Sequence, residues 1–62
     1  MESDLAELST VATQLVELAE RITTMAERHR GTDYDGVAVR LFEVERSMHA
    51  AERNLRAALR AF

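Results

Sequence analysis

The sequence has no cysteine, no proline and no tryptophan, and its two glycines both lie in one short segment. Without cysteine the chain forms no disulfide framework and carries no thiol chemistry. A structural zinc site is not expected either, because only two histidines are present as strong nitrogen ligands. Folding must therefore rely on apolar packing, within one chain or between chains.

The sequence is also poor in the features that target a protein to membranes or polyanions. Its net charge is −3, so bulk attraction to nucleic acid or to acidic membranes is not expected. No apolar run approaches the roughly 20 residues of a membrane span. The opening residues MESDLAEL are acidic rather than basic, which does not fit a signal peptide. We therefore expect a cytoplasmic protein without a membrane partner.

What the sequence does contain is typical of long helices. Hydrophobic residues make up 47% of the 62 residues, too many for a disordered segment. Alanine, leucine, glutamate and arginine dominate, and all four are strong helix formers. A core of this size rarely contributes more than about 3–5 kcal/mol, so the composition also points to a stabilising partner.

Apolar residues recur in each half of the chain at alternating steps of three and four, the heptad pattern of packed helices. In the first half they are Leu8, Val11, Leu15, Leu18, Ile22 and Met25. In the second half they are Val37, Leu41, Val44, Met48, Ala51, Leu55, Ala58 and Phe62. The pattern predicts a single all-α domain over residues 1–62, with helices over about 3–30 and 36–61 and a loop over 31–35.

So short a loop between two long helices predicts an antiparallel hairpin. The two patterns match in a register where the numbers of facing residues add up to 66. Leu8 then faces Ala58, and Leu18 faces Met48. We expect these heptad residues to form the contact between the two helices.

The segment HRGTDYDGVA, residues 29–38, resembles a cation-binding loop at first sight. Placing Gly36 at the sixth position of an EF-hand loop puts Gly31 at the first position and Phe42 at the twelfth, where carboxylate ligands are required. We therefore interpret the segment as a turn, in which Gly31 ends the first helix in the left-handed conformation. Three residues are candidate caps of the second helix: Thr32, Asp33 and Asp35.

Further apolar residues lie outside the heptad pattern, which widens the apolar surface beyond the need of one helix pair. The first helix also has an uncharged segment, LSTVATQLV, although exposed helix surfaces usually carry charge. We therefore predict a homodimer that forms a four-helix bundle. The predicted self-association residues are Leu5, Val11, Thr13, Val16, Val39, Phe42 and Leu59.

Arginines recur every seven residues on the second helix at Arg46, Arg53 and Arg60, with Arg56 beside them. We call these four residues the arginine stripe. It is a candidate contact for phosphates or for an acidic protein. The alternative is an ordinary solvated charged surface, because acidic residues lie nearby and no aromatic residue alternates with the arginines to stack on bases.

No nucleophile and base can be placed together, and no glycine-rich phosphate loop is present. We predict no catalytic residues, no cofactor and no metal. The predicted function is that of a non-catalytic adaptor or regulator that self-associates and binds an unidentified protein partner. The alternative is a small nucleic-acid-binding regulator that uses the arginine stripe.

Overall fold

The protein is a hairpin of two long α-helices. The computed structural model describes residues 2–62, with side chains from Ser3 onward, and Met1 lies outside the described residues. Helix α1 spans Glu2–His29 and helix α2 spans Asp35–Arg60. The two helices pack against each other, and the described residues form no strand, which confirms the predicted all-helical hairpin. Neither described helix contains an apolar stretch long enough to cross a membrane.

The turn between the helices is closed by side chains that bond to the backbone across it. Gly31 has φ 78°, the left-handed conformation that the sequence predicts for it. Its backbone N–H donates to Asp35 Oδ1 at 2.6 Å, so the first residue of α2 holds the end of α1. The Thr32 hydroxyl donates to the His29 carbonyl oxygen at 2.6 Å and accepts a bond from the Tyr34 N–H at 3.1 Å.

The prediction that Thr32, Asp33 or Asp35 caps α2 is wrong. The N-cap residue is Tyr34, and its side chain makes no capping hydrogen bond. The carboxylate of Asp35 points back across the turn to Gly31 instead, where it satisfies an N–H that α1 leaves without a helical partner.

The contact between the helices is built on small residues. Ala12, Ala19, Ala26 and Ala38 are the buried apolar residues, each at most 1% exposed. The three alanines of α1 are seven residues apart, so they form one row along the helix. Alanine carries only a methyl group, which lets the axes of two helices approach closely.

The predicted contact row is wrong, although residues that the predicted register pairs lie near each other. Leu8 and Ala58 border one groove between the helices, and Leu18 and Met48 border another. Leu18 is nevertheless 43% exposed, whereas Ala19 beside it is buried. The alanine row, one residue further along α1, faces α2, and the large heptad residues lie at the side of the contact.

Candidate self-association surface and arginine stripe

The large residues of the heptad pattern lie on the same side of the hairpin in both helices. Residues i+3 and i+4 of an α-helix lie on the same general face as residue i, one turned slightly to its left around the axis and the other slightly to its right. Leu15 is at i+3 from the buried Ala12, and it borders a groove together with Val44, Met48 and Ala51 of α2. The same side of α1 therefore meets the apolar side of α2.

We call this surface the apolar face, and most of its large members are exposed or half-buried. Its residues on α1 are Leu8, Val11, Leu15, Leu18, Ile22 and Met25. Its residues on α2 are Val37, Leu41, Val44, Met48, Ala51, Leu55 and Ala58. Large apolar patches are uncommon on monomers, so the apolar face is the candidate self-association surface.

The shape of the chain supports the same reading. The Cα atoms extend over 48 × 14 × 9 Å, with a radius of gyration of 14.5 Å against roughly 10.6 Å for a compact chain of this length. The accessible surface is 4627 Å², about 15% more than the roughly 4,000 Å² of a compact monomer of this mass. One side of the rod has a projected area of about 670 Å², comparable with the ~800 Å² that each partner buries in a standard interface.

The structure does not bring the predicted self-association residues together on one surface. Val11 belongs to the apolar face. Val16 and Phe42 lie at i+4 from Ala12 and Ala38, on the opposite side, and both are partly covered within the chain. Leu5 and Leu59 lie at the open end of the contact between the helices. Thr13 and Val39 directly follow Ala12 and Ala38 in the sequence, and they lie on the outer surface next to the opposite side.

The opposite side is held in place by local contacts. The Arg30 guanidinium carbon lies 6.0 Å from the centre of the Phe42 ring, within the range of a cation–π contact. The Thr13 hydroxyl donates to the Ser9 carbonyl oxygen at 3.2 Å, so its polar group is satisfied inside α1. These residues therefore have roles within one chain.

Two glutamates lie in the row of α2 that faces α1. Glu45 and Glu52 follow the buried Ala38 at intervals of seven, and their side chains are 24% and 15% exposed. Each is paired with a residue four positions later, Glu45 with His49 Nε2 at 2.9 Å and Glu52 with Arg56 Nε. A half-buried carboxylate needs such a partner, because burial removes water from its oxygen atoms.

The arginine stripe lies on the side of α2 away from the apolar face. Arg46, Arg53 and Arg60 are exposed, and within residues 3–62 no carboxylate lies within 4.0 Å of their guanidinium groups. Arg56 differs, because it is the partner of Glu52. Three of the four predicted partner-binding residues are therefore available to an acidic ligand.

The turn has none of the features of a metal centre. Among the described residues, no group of three or more potential carboxylate or histidine ligands comes together. Asp35 is engaged with the Gly31 N–H, and the His29 ring meets the Tyr34 ring edge-on with centroids 5.8 Å apart. These contacts shape the turn.

Comparison with protein-family models, with curated proteins and with solved structures finds no match to this chain. Its function is therefore inferred from its own surfaces.

Proposed function

We propose that this chain is a non-catalytic helical hairpin that self-associates through the apolar face and acts by binding another protein. The observation that carries the proposal is the mismatch between the two sets of apolar residues. The hairpin buries alanines, while large residues such as Leu18, Met25 and Val44 stay exposed. Burying a leucine or methionine fully stabilises a protein by roughly 1.5–3 kcal/mol, so a second copy on this face recovers a large unused contribution.

Self-association is tested by measuring the mass in solution over a range of concentrations. Multi-angle light scattering is expected to give a dimer of two 7.0 kDa chains. A helical protein that remains a 7.0 kDa monomer at millimolar concentration would refute the proposal. Circular dichroism on the same samples separates a folded monomer from an unfolded chain.

The arginine stripe supports the second part of the proposal, a partner with an acidic surface. It lies on the side away from the apolar face, so a dimer leaves it accessible on both copies. Capture of a partner by the native protein, and its loss with Arg53→Glu, is the expected result. Arg40→Glu makes the same change of charge on the side of α2 that borders the apolar face. It serves as the control once light scattering shows that this variant still forms the dimer.

A nucleic-acid partner is the second candidate function, favoured by the free guanidinium groups of Arg46, Arg53 and Arg60. Three or four phosphate contacts predict that log K falls against log salt with a slope of roughly −3 to −4. Fluorescence anisotropy with short duplex DNA and RNA measures this slope. Binding that is absent at 50 mM salt, or that is unchanged by Arg53→Glu, would remove this candidate.

A further inference from the structure

We infer that the apolar face is covered by a second copy of this chain whose turn lies at the opposite end of the bundle, so that α1 packs on the partner's α1 and α2 on the partner's α2. This arrangement rests on the proposed self-association. The alternative places both turns at the same end, with α1 on the partner's α2. The charge along the outer rim of the apolar face distinguishes them.

The arrangement closes geometrically on one twofold axis. On α1, an axis between Leu15 and Leu18 pairs Leu8 with the partner's Met25. In the register of the hairpin, the same level on α2 lies between Met48 and Ala51. That level pairs Met48 with the partner's Ala51, and Leu41 with the partner's Ala58. One axis therefore matches apolar residues on both helices, and on α2 it places Met48 and Leu41 against alanines and Val44 against the partner's Leu55.

The distinguishing feature is charge along the outer rim of the face. Four residues seven apart run along α1 beside the exposed apolar residues, and we call them the rim: Glu7, Gln14, Arg21 and Arg28. Gln14 and Arg21 border the groove at Leu18 together with Glu17, which lies further from the apolar face, and Arg21 and Arg28 border the groove at Met25. The rim is acidic at the open end and basic near the turn.

Antiparallel packing of α1 on the partner's α1 brings the two rims together in opposite directions. Glu7 then lies beside the partner's Arg28, and Gln14 beside the partner's Arg21. With both turns at one end, Arg28 lies instead near the partner's Arg40. That arginine is paired with Glu43 of its own chain, so Arg28 gains no free acidic partner there. Within one chain Glu7 and Arg28 are about 31 Å apart along α1, so they do not interact.

This difference makes a mixing experiment decisive. Glu7→Arg gives a homodimer with two contacts between arginines, and Arg28→Glu gives one with two contacts between glutamates. A heterodimer of the two variants restores both attractive pairs. Equal amounts are mixed at 50 mM salt, and native mass spectrometry measures the share of heterodimer.

The exchange constant describes the conversion of the two homodimers into two heterodimers. Four exposed pairs change from repulsive to attractive in this exchange, so the constant is expected to lie roughly ten- to hundredfold above the statistical value. At 1 M salt, where the screening length is about 3 Å, the excess is expected to disappear. The control mixes Glu27→Arg with Arg28→Glu. Glu27 lies on the opposite side of α1, and its replacement by arginine changes the charge by the same amount as Glu7→Arg. The share of heterodimer in this mixture is therefore expected to be the statistical one.

The outcomes separate this inference from the proposed self-association. A statistical mixture, or a failure of the mixed variants to dimerise while the native chain does, overturns the opposite-end arrangement and leaves self-association standing. A native chain that is monomeric overturns both. A spin label at Asp33→Cys gives a second measure: a distance on the order of 40 Å between the two turns agrees with the inference, and one below about 20 Å contradicts it.

Discussion

Truncation of Leu18 measures how much the apolar face contributes to self-association. This side chain is 43% exposed in the hairpin, and complete burial of leucine contributes roughly 1.5–3 kcal/mol. The exposed part therefore accounts for about 0.6–1.3 kcal/mol in each copy, which the second copy recovers. Both copies of the dimer lose this contribution when Leu18 is replaced by alanine. Leu18→Ala is therefore expected to raise the dimer Kd roughly ten- to hundredfold.

The matched control is Val39→Ala. Val39 is more exposed than Leu18, at 53%, but it lies on the opposite side of the hairpin. Sedimentation equilibrium over a concentration series gives Kd for both variants, and circular dichroism checks their helix content. Alanine is the stronger helix former in both cases, so loss of helix does not explain a weaker dimer. An unchanged Kd for Leu18→Ala, or a larger effect of Val39→Ala, would refute the assignment of the interface to the apolar face.

Three further predictions concern the hairpin itself, each measured as the free energy of unfolding in urea at fixed protein concentration. Ala19→Leu inserts a large side chain into the buried row and is expected to cost about 1–3 kcal/mol, whereas Ala57→Leu on the outside has little effect; equal results would contradict the alanine contact. Gly31→Ala is expected to cost about 1 kcal/mol because of its φ of 78°, whereas Gly36→Ala inside α2 stabilises by up to ~1 kcal/mol; a neutral Gly31→Ala would show that the turn relaxes. Glu52→Met replaces a half-buried carboxylate with an apolar side chain and is expected to stabilise by about 1 kcal/mol, and destabilisation would show that the pair with its arginine outweighs desolvation.

The heptad pattern of the sequence contains the residues of the apolar face. The pattern does not show whether these residues meet the other helix or stay open. Two neighbouring rows of α1 are apolar, the row of Leu18 and the row of Ala19, and periodicity does not say which one meets α2. The heptad spacing predicts that the row of large residues lies at the contact. The opposite outcome follows from size, since alanines allow the closest approach of two helices and leave the larger side chains at the edge.

The two glutamates in the contact were missed for a related reason. Glu45 and Glu52 look like ordinary surface residues, and only their spacing of seven from Ala38 gave a signal. Their partly buried carboxylates are stabilised by His49 and Arg56, which lie one turn later on the same helix. Pairs at i and i+4 were visible in the sequence, but their place against α1 depends on how the helices are rotated.

The sequence by itself determined two helices, the turn at Gly31 and the antiparallel register, because propensity, a short loop and the heptad spacing are local properties. Only the tertiary structure decided which side of each helix is covered and which stays open. That choice depends on how closely two particular surfaces approach, and the distance of approach is a property of side chains from both helices together.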